Sequence, residues 1–102
     1  MNTIKFANVE SEQIRRLMED VSIDEMIVST KAIEQIEDIL NLKDMDVNEL
    51  RATRNTIVKE FSIHMEKAEE NNDIESMRDF MKKCSGITAV IDNNIWKCGG
   101  DV

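Results

Sequence analysis

The C-terminal half of this 102-residue chain keeps heptad time: Ile74, Met77, Met81, Cys84, Thr88, Ile91 and Ile95 follow one another at intervals of three, four, three, four, three and four. Only an α-helix, with 3.6 residues per turn, brings positions so spaced onto one side. A helix striped along its whole length needs a partner along that length. The preceding segment, roughly Val47 to Glu70, offers one, with Leu50, Ile57, Val58, Phe61, Met65 and Ala68 on a stripe of its own. Between the two stand Asn71, Asn72 and Asp73, short side chains that accept turn conformations a continuing helix would not. Two long helices joined by so short a loop run antiparallel, which predicts an αα-hairpin over 46–96. Gly86 is its expected weak spot, since glycine inside a helix costs about 1 kcal/mol relative to alanine.

Upstream the periodicity is again helical. Ile14, Leu17, Met18 and Val21 share one face and predict a helix near 9–21, with Asn8 as its N-cap. Ser22 and Glu25 have the spacing of a capping box and mark a new start. From Ile23 to Leu42 the pattern fits one helix, or a short one followed by a longer one, because Ser29-Thr30 serves equally as cap or interruption. Ile33, Ile36, Ile39 and Leu40 form the apolar side there, and Glu34, Glu37 and Asp38 are placed opposite them as an acidic wet face. Asn41 to Asp46 reads as a connection, with Asp46 and Glu49 repeating the capping-box spacing. Strand-like alternation is confined to the window Thr3 to Phe6.

The expected architecture is therefore one all-α domain over 1–102: acidic N-terminal helices over 9–45, two or three in number, then the hairpin, then a frayed tail at 97–102. The seam of the hairpin is wider than one helix can cover, because Val58 beside Ile57, Met81 beside Phe80 and Val90 beside Ile91 broaden it. Something further must pack there. Either the N-terminal helices fold back onto it or a second copy completes a homodimer, the commonest closed assembly.

Composition removes several function classes. There is no proline, and before Gly99-Gly100 the only glycine is Gly86, so neither a P-loop nor a dinucleotide-binding fingerprint can be written. No long apolar run or charged-then-apolar leader is visible, and two cysteines, Cys84 and Cys98, are too few for a disulfide scaffold. A cytoplasmic setting with reduced thiols is the expectation. The net charge of -8 falls mostly on the N-terminal half, where residues 1–51 hold six basic and twelve acidic side chains. That sign opposes nucleic-acid binding, because the helix after Thr30 would turn carboxylates toward phosphates.

Chemistry-bearing groups are sparse. Glu60 and His64 share a helical face but no paired C-x-x-C or H-x-x-x-H ligands accompany them, so no metal or cofactor is expected. Ser62 is two residues from His64 and points elsewhere, which leaves no nucleophile–base set. The enzyme alternative is an all-helical magnesium-dependent nucleotide pyrophosphohydrolase, which needs E-x-x-E and E-x-x-D pairs. Glu34/Glu37 and Glu70/Asp73 have the spacing, although the second pair spans the Asn-Asn turn. A further alternative is an inhibitor that mimics the charge of DNA.

The favoured expectation is a non-enzymatic, acidic protein–protein interaction module: an adaptor, assembly chaperone or inhibitor of the kind that phages and mobile elements carry. It would contact another protein through Glu34, Glu37, Asp38, Met77, Met81 and Trp96. Seven methionines support an adaptable apolar surface, and Trp96 is the sort of residue that anchors an interface.

Overall fold

A computed structural model describes residues 9–23 and 28–100, and these are helical in four segments with no strand among them. They are α1 (Ser11–Glu19), α2 (Thr30–Leu40), α3 (Val47–Glu70) and α4 (Ile74–Lys97), with a single 3-10 turn over Leu42–Asp44 before α3. Asn8, Glu25, Met26 and the window Thr3 to Phe6 lie outside the described residues.

Each boundary has a local cause. Helix α1 is shorter than expected, and Glu10 rather than Asn8 is its N-cap: the Glu10 N–H donates to Gln13 Oε1 at 2.7 Å. Ser29 acts as a cap, accepting the Ala32 N–H at 3.1 Å, so α2 begins at Thr30 and the stretch is not one continuous helix, while the short helix expected before Ser29 falls on 24–27, outside the described residues. Asn41, left-handed at φ 57°, ends α2. Helix α3 opens on the expected capping box, with the Glu49 N–H donating to Asp46 Oδ1 at 2.8 Å and the Asp46 N–H to Glu49 Oε1 at 3.1 Å.

The hairpin turn is compact because its residues serve two helices at once. Asn72 takes the left-handed conformation at φ 57° and donates its N–H to the Glu69 carbonyl, and the Asp73 N–H reaches back to the Ala68 carbonyl at 2.8 Å. Those two bonds form a Schellman motif that satisfies carbonyls at the end of α3. The Asp73 carboxylate then accepts the Ser76 N–H at 3.1 Å and caps α4.

The same motif corrects the expectation of a frayed tail. Gly99, at φ 83°, donates to the Trp96 carbonyl and Gly100 to the Ile95 carbonyl, so the chain is tied down through residue 100. A Cβ on Gly100 would lie 2.8 Å from Ile95 Cγ2 and 3.2 Å from Val47 Cγ1. Residues 101 and 102 lie outside the described residues.

The core sits at the open end of the hairpin. Leu50, Ile57, Phe61, Ile87, Ile91 and Ile95 are fully buried from α3 and α4, together with Leu17 of α1, Ile36 and Leu40 of α2, and Leu42. Long-range polar contacts fix the short helices in place. Gln13 Nε2 donates to the Ile39 carbonyl at 2.8 Å, satisfying one of the last carbonyls of α2. Lys83 Nζ, on a side chain only 12% exposed, donates to the Met18 carbonyl, where a cation also suits the end of α1. Arg54 Nε meets Asp92 Oδ1 at 2.7 Å and locks α3 to α4.

Gly86 is where the expectation of a weak spot gives way to a packing role. An added Cβ would come within 2.7 Å of Ile23 Cδ1 and 3.2 Å of Val28 Cγ2. The missing side chain is what lets these residues lie flat on α4.

Candidate protein-interaction surface

The heptad stripe of α4 is not its buried face. Of the seven positions only Ile91 and Ile95 are buried, and Ile74 and Met81 are 59% and 54% exposed. Gly86, Ile87, Val90 and Asn94 are buried instead. Two causes act together. Near its C-terminus α4 is packed by α3 on one side and by α2 on another, so its buried face is rotated and widened toward Val90 and Asn94. Toward the loop the contact of α1 with α4 is through Lys83, and between Ile74 and Ser85 no residue is fully buried. There α3 and α4 rely on one another, through Phe61 and Phe80 edge to face at 6.4 Å and His64 tilted over Phe80 at 5.6 Å.

The N-terminal elements all dock on one flank of the hairpin. Lys83, Gly86 and Asn94 are among the α4 residues they meet, by way of Met18, Ile23 with Val28, and Glu37. On α3 the corresponding residues are Glu60 and His64, which with Ile14 and Met18 line a cleft of about 290 Å³. The opposite flank is marked by the Arg54–Asp92 pair. At about 100° per residue, Val58 and Met65 of α3 and Ile74 and Met81 of α4 fall on that same side. Val58 is 37% exposed, although its position on the α3 stripe had placed it in the seam. Trp96, at the far end of α4 and beside this flank, is 71% exposed. The wide seam thus acquires cover on one side and remains open on the other.

The six residues singled out from sequence do not converge. Glu34 and Asp38 are exposed on α2, as expected of a wet acidic face. Glu37 is not: its carboxylate is buried, and Asn94 Nδ2 donates to Glu37 Oε2 at 3.0 Å. Its position beside Ile36 puts it on the side that meets α4, where Asn94, within the last turn of that helix, supplies the donor. Met77 is half-buried between the hairpin helices, Met81 is exposed, and Trp96 lies fifteen positions beyond Met81, about 22 Å along the axis. Val58 and Ile74 belong to the open flank and were missed, because stripe spacing alone does not tell which part of a long helix has a neighbour.

For chemistry the arrangement offers little. Among the described residues no group of three His, Cys, Asp or Glu side chains could hold a metal ion. Glu34 and Glu37 do not present two open carboxylates, since one faces solvent and the other Asn94. Glu70 closes α3 while Asp73 caps α4, so that pair is divided by the turn. Cys84 and Cys98 are both free. Fourteen positions apart on one helix, about 21 Å, they cannot bridge within a chain. No described helix is long and apolar enough to cross a membrane. Compared with models of protein families, with curated proteins and with solved structures, the chain matches none.

Proposed function

We propose that this chain is a small helical protein–protein interaction module whose contact surface is the open flank of the α3–α4 hairpin. The observation that carries this reading is the exposure of Val58, Ile74, Met81 and Trp96 on the side of the hairpin away from α1 and α2. Among the described residues these are four of the five exposed large apolar side chains, Ile63 on the far side of α3 being the fifth, and such side chains gathered on one face mark an association site more often than single ones scattered over a surface. Methionine adapts its shape to a partner, and tryptophan contributes most where it becomes fully desolvated. Glu34 and Asp38 stay on the opposite side and contribute to a field that steers oppositely charged surfaces and repels acidic ones.

The test is comparative affinity capture from host extract, read by mass spectrometry, with wild type, Val58→Glu/Met81→Glu and Glu34→Lys/Asp38→Lys as baits. A protein held by wild type, lost by the Val58/Met81 variant and retained by the α2 variant supports the reading. If both variants capture the same proteins as wild type, the open flank is not a contact surface.

A further inference from the structure

We infer that the protein docking on the open flank is a second copy of this chain, the two hairpins packing face to face about a two-fold axis near Thr88. The inference rests on the interaction reading above and names its occupant.

Three observations select a second copy. The first is where the charge lies. Residues 47–97 carry eight basic and nine acidic side chains, and residues 1–46 carry five and eleven. Two molecules of charge -8 repel one another, so they can meet only through a nearly neutral surface with their acidic parts outward. The hairpin is that nearly neutral part, and α1 and α2 are docked on its other flank.

The second is area. Each hairpin helix has 24 residues, about 36 Å at 1.5 Å per residue, and helices pack about 10 Å apart. Two helices side by side make a face about 20 Å wide, and about an axis near Thr88 the two hairpins overlap over positions 80–97 of α4, about 27 Å, which gives about 500 Å² per copy or about 1,000 Å² in a pair, the lower limit for a specific interface.

The third is the order of side-chain sizes along α4. Met81 and Trp96 stand at two ends of a stretch whose outer positions between them are Ser85 and Ala89, small and exposed, and Asp92, whose charge is met by Arg54 at 2.7 Å within the same copy. A two-fold contact requires a surface that fits itself, each position meeting its mirror partner. An axis near Thr88, midway between Met81 and Trp96, sets Trp96 of one copy against Met81 of the other, while the small middle lets the helices approach. A heterologous contact, with the acidic face of α2 on Arg51 and Arg78, would not close and would be weakened by salt.

The experiment is light scattering on size-separated protein at several concentrations and at low and high salt, for wild type, Met81→Glu and Trp96→Glu. The expected mass of wild type is twice 11.8 kDa, with tighter association at high salt, where repulsion between the acidic halves is screened. Both substituted residues are exposed, so each variant should keep a cooperative helical melt by circular dichroism and run as a monomer. Val58→Glu, on α3, gives a second monomeric variant should either of these lose its fold. Wild type at 11.8 kDa at every concentration, or variants as dimeric as wild type, would overturn the inference. A monomer whose open flank still captures a different protein overturns the second copy but leaves the interaction reading standing. A monomer with no flank-dependent capture removes both.

Discussion

Asn94 of α4 donates one amide hydrogen to Glu37 Oε2 of α2 and lies equally close, at 3.0 Å, to the Val90 carbonyl of its own helix, with both side chains buried. This is a polar tie between α2 and the hairpin, as Lys83 to the Met18 carbonyl is between α1 and the hairpin. Lys43 Nζ stands 3.9 Å from Glu37 Oε1, but its side chain is 72% exposed and water screens it.

Removing one partner of that tie should cost more than removing both. Asn94→Leu strands a buried carboxylate, for which a penalty of about 1–3 kcal/mol or more is usual. Glu37→Gln keeps an acceptor at the same place and should lose much less. The double variant Glu37→Leu/Asn94→Leu removes the unmet polar group altogether and should recover most of the loss. Urea denaturation of wild type, Glu37→Leu, Asn94→Leu and the double variant gives the coupling directly. Additive losses would show that the contact carries no energy of its own.

Gly86 separates helix propensity from packing. Alanine there should add about 1 kcal/mol through propensity, yet its Cβ would meet the branched Ile23 and Val28 side chains at 2.7–3.2 Å. Gly86→Ala should therefore gain clearly less than the propensity value, and Gly86→Leu should lose about 1–3 kcal/mol as overpacking pushes the segment away. Thermal melts decide it. A full propensity gain in the alanine variant would mean that nothing rests on this glycine.

The two Schellman motifs differ in their left-handed residue. Asn72 occupies φ 57° where Gly99 occupies φ 83°. Asparagine tolerates that region and glycine favours it, so Asn72→Gly should stabilise by a few tenths to about 1 kcal/mol. Gly99→Ala should destabilise by about 1–2 kcal/mol. Nothing lies near Gly99 for a Cβ to clash with, so that loss would be purely one of backbone conformation.

What sequence reveals here is local, and what it hides is tertiary. The hairpin, its Asn-Asn-Asp turn and the Asp46/Glu49 box were legible because spacing and capping act within a few residues. The buried face of α4 was not, because the stripe Ile74 to Ile95 is equally regular along its length whether or not a neighbour covers it. The flank that α1 and α2 take decides that Val90 is core and Met81 is surface. Glu37 misled for a related reason: a carboxylate on a helix reads as wet unless its donor, 57 positions away in Asn94, is known. Gly86 reads as a helix flaw for want of Ile23 and Val28 beside it. Of the interaction residues, Met81 and Trp96 were legible as large apolar side chains near the edge of the pattern.

Acid should loosen the turn and α1 in a defined direction. The Ser76 hydroxyl and then the Ser76 backbone N–H hold Asp73 below its ordinary carboxylate value, and the hydrogen bond from Arg15 does the same for Glu12. A carboxylate depressed in the folded state adds stability that is fully present above its unfolded pKa, near 4, and is lost as pH falls through the lower folded value. Urea midpoints measured from pH 5 downward should fall. In Asp73→Asn, which cannot titrate, that fall should be smaller. An equally steep fall in the variant would assign the acid sensitivity to other groups.

The two thiols should react at different rates for a structural reason. Burial against the hairpin raises the pKa of Cys84, with Arg54 opposing the shift more weakly, and so reduces its thiolate fraction. Cys98, at the end of α4, is exposed. Because the thiolate is the nucleophile and must also be reached, a maleimide at neutral pH should label Cys98 first and Cys84 well behind it. In urea the two rates should converge, since unfolding removes the burial that distinguishes them. Mass spectrometry of partly labelled protein, with Cys84→Ser and Cys98→Ser as references, assigns each rate. Equal labelling of both thiols in the native protein would mean that α3 and α4 open readily around Cys84.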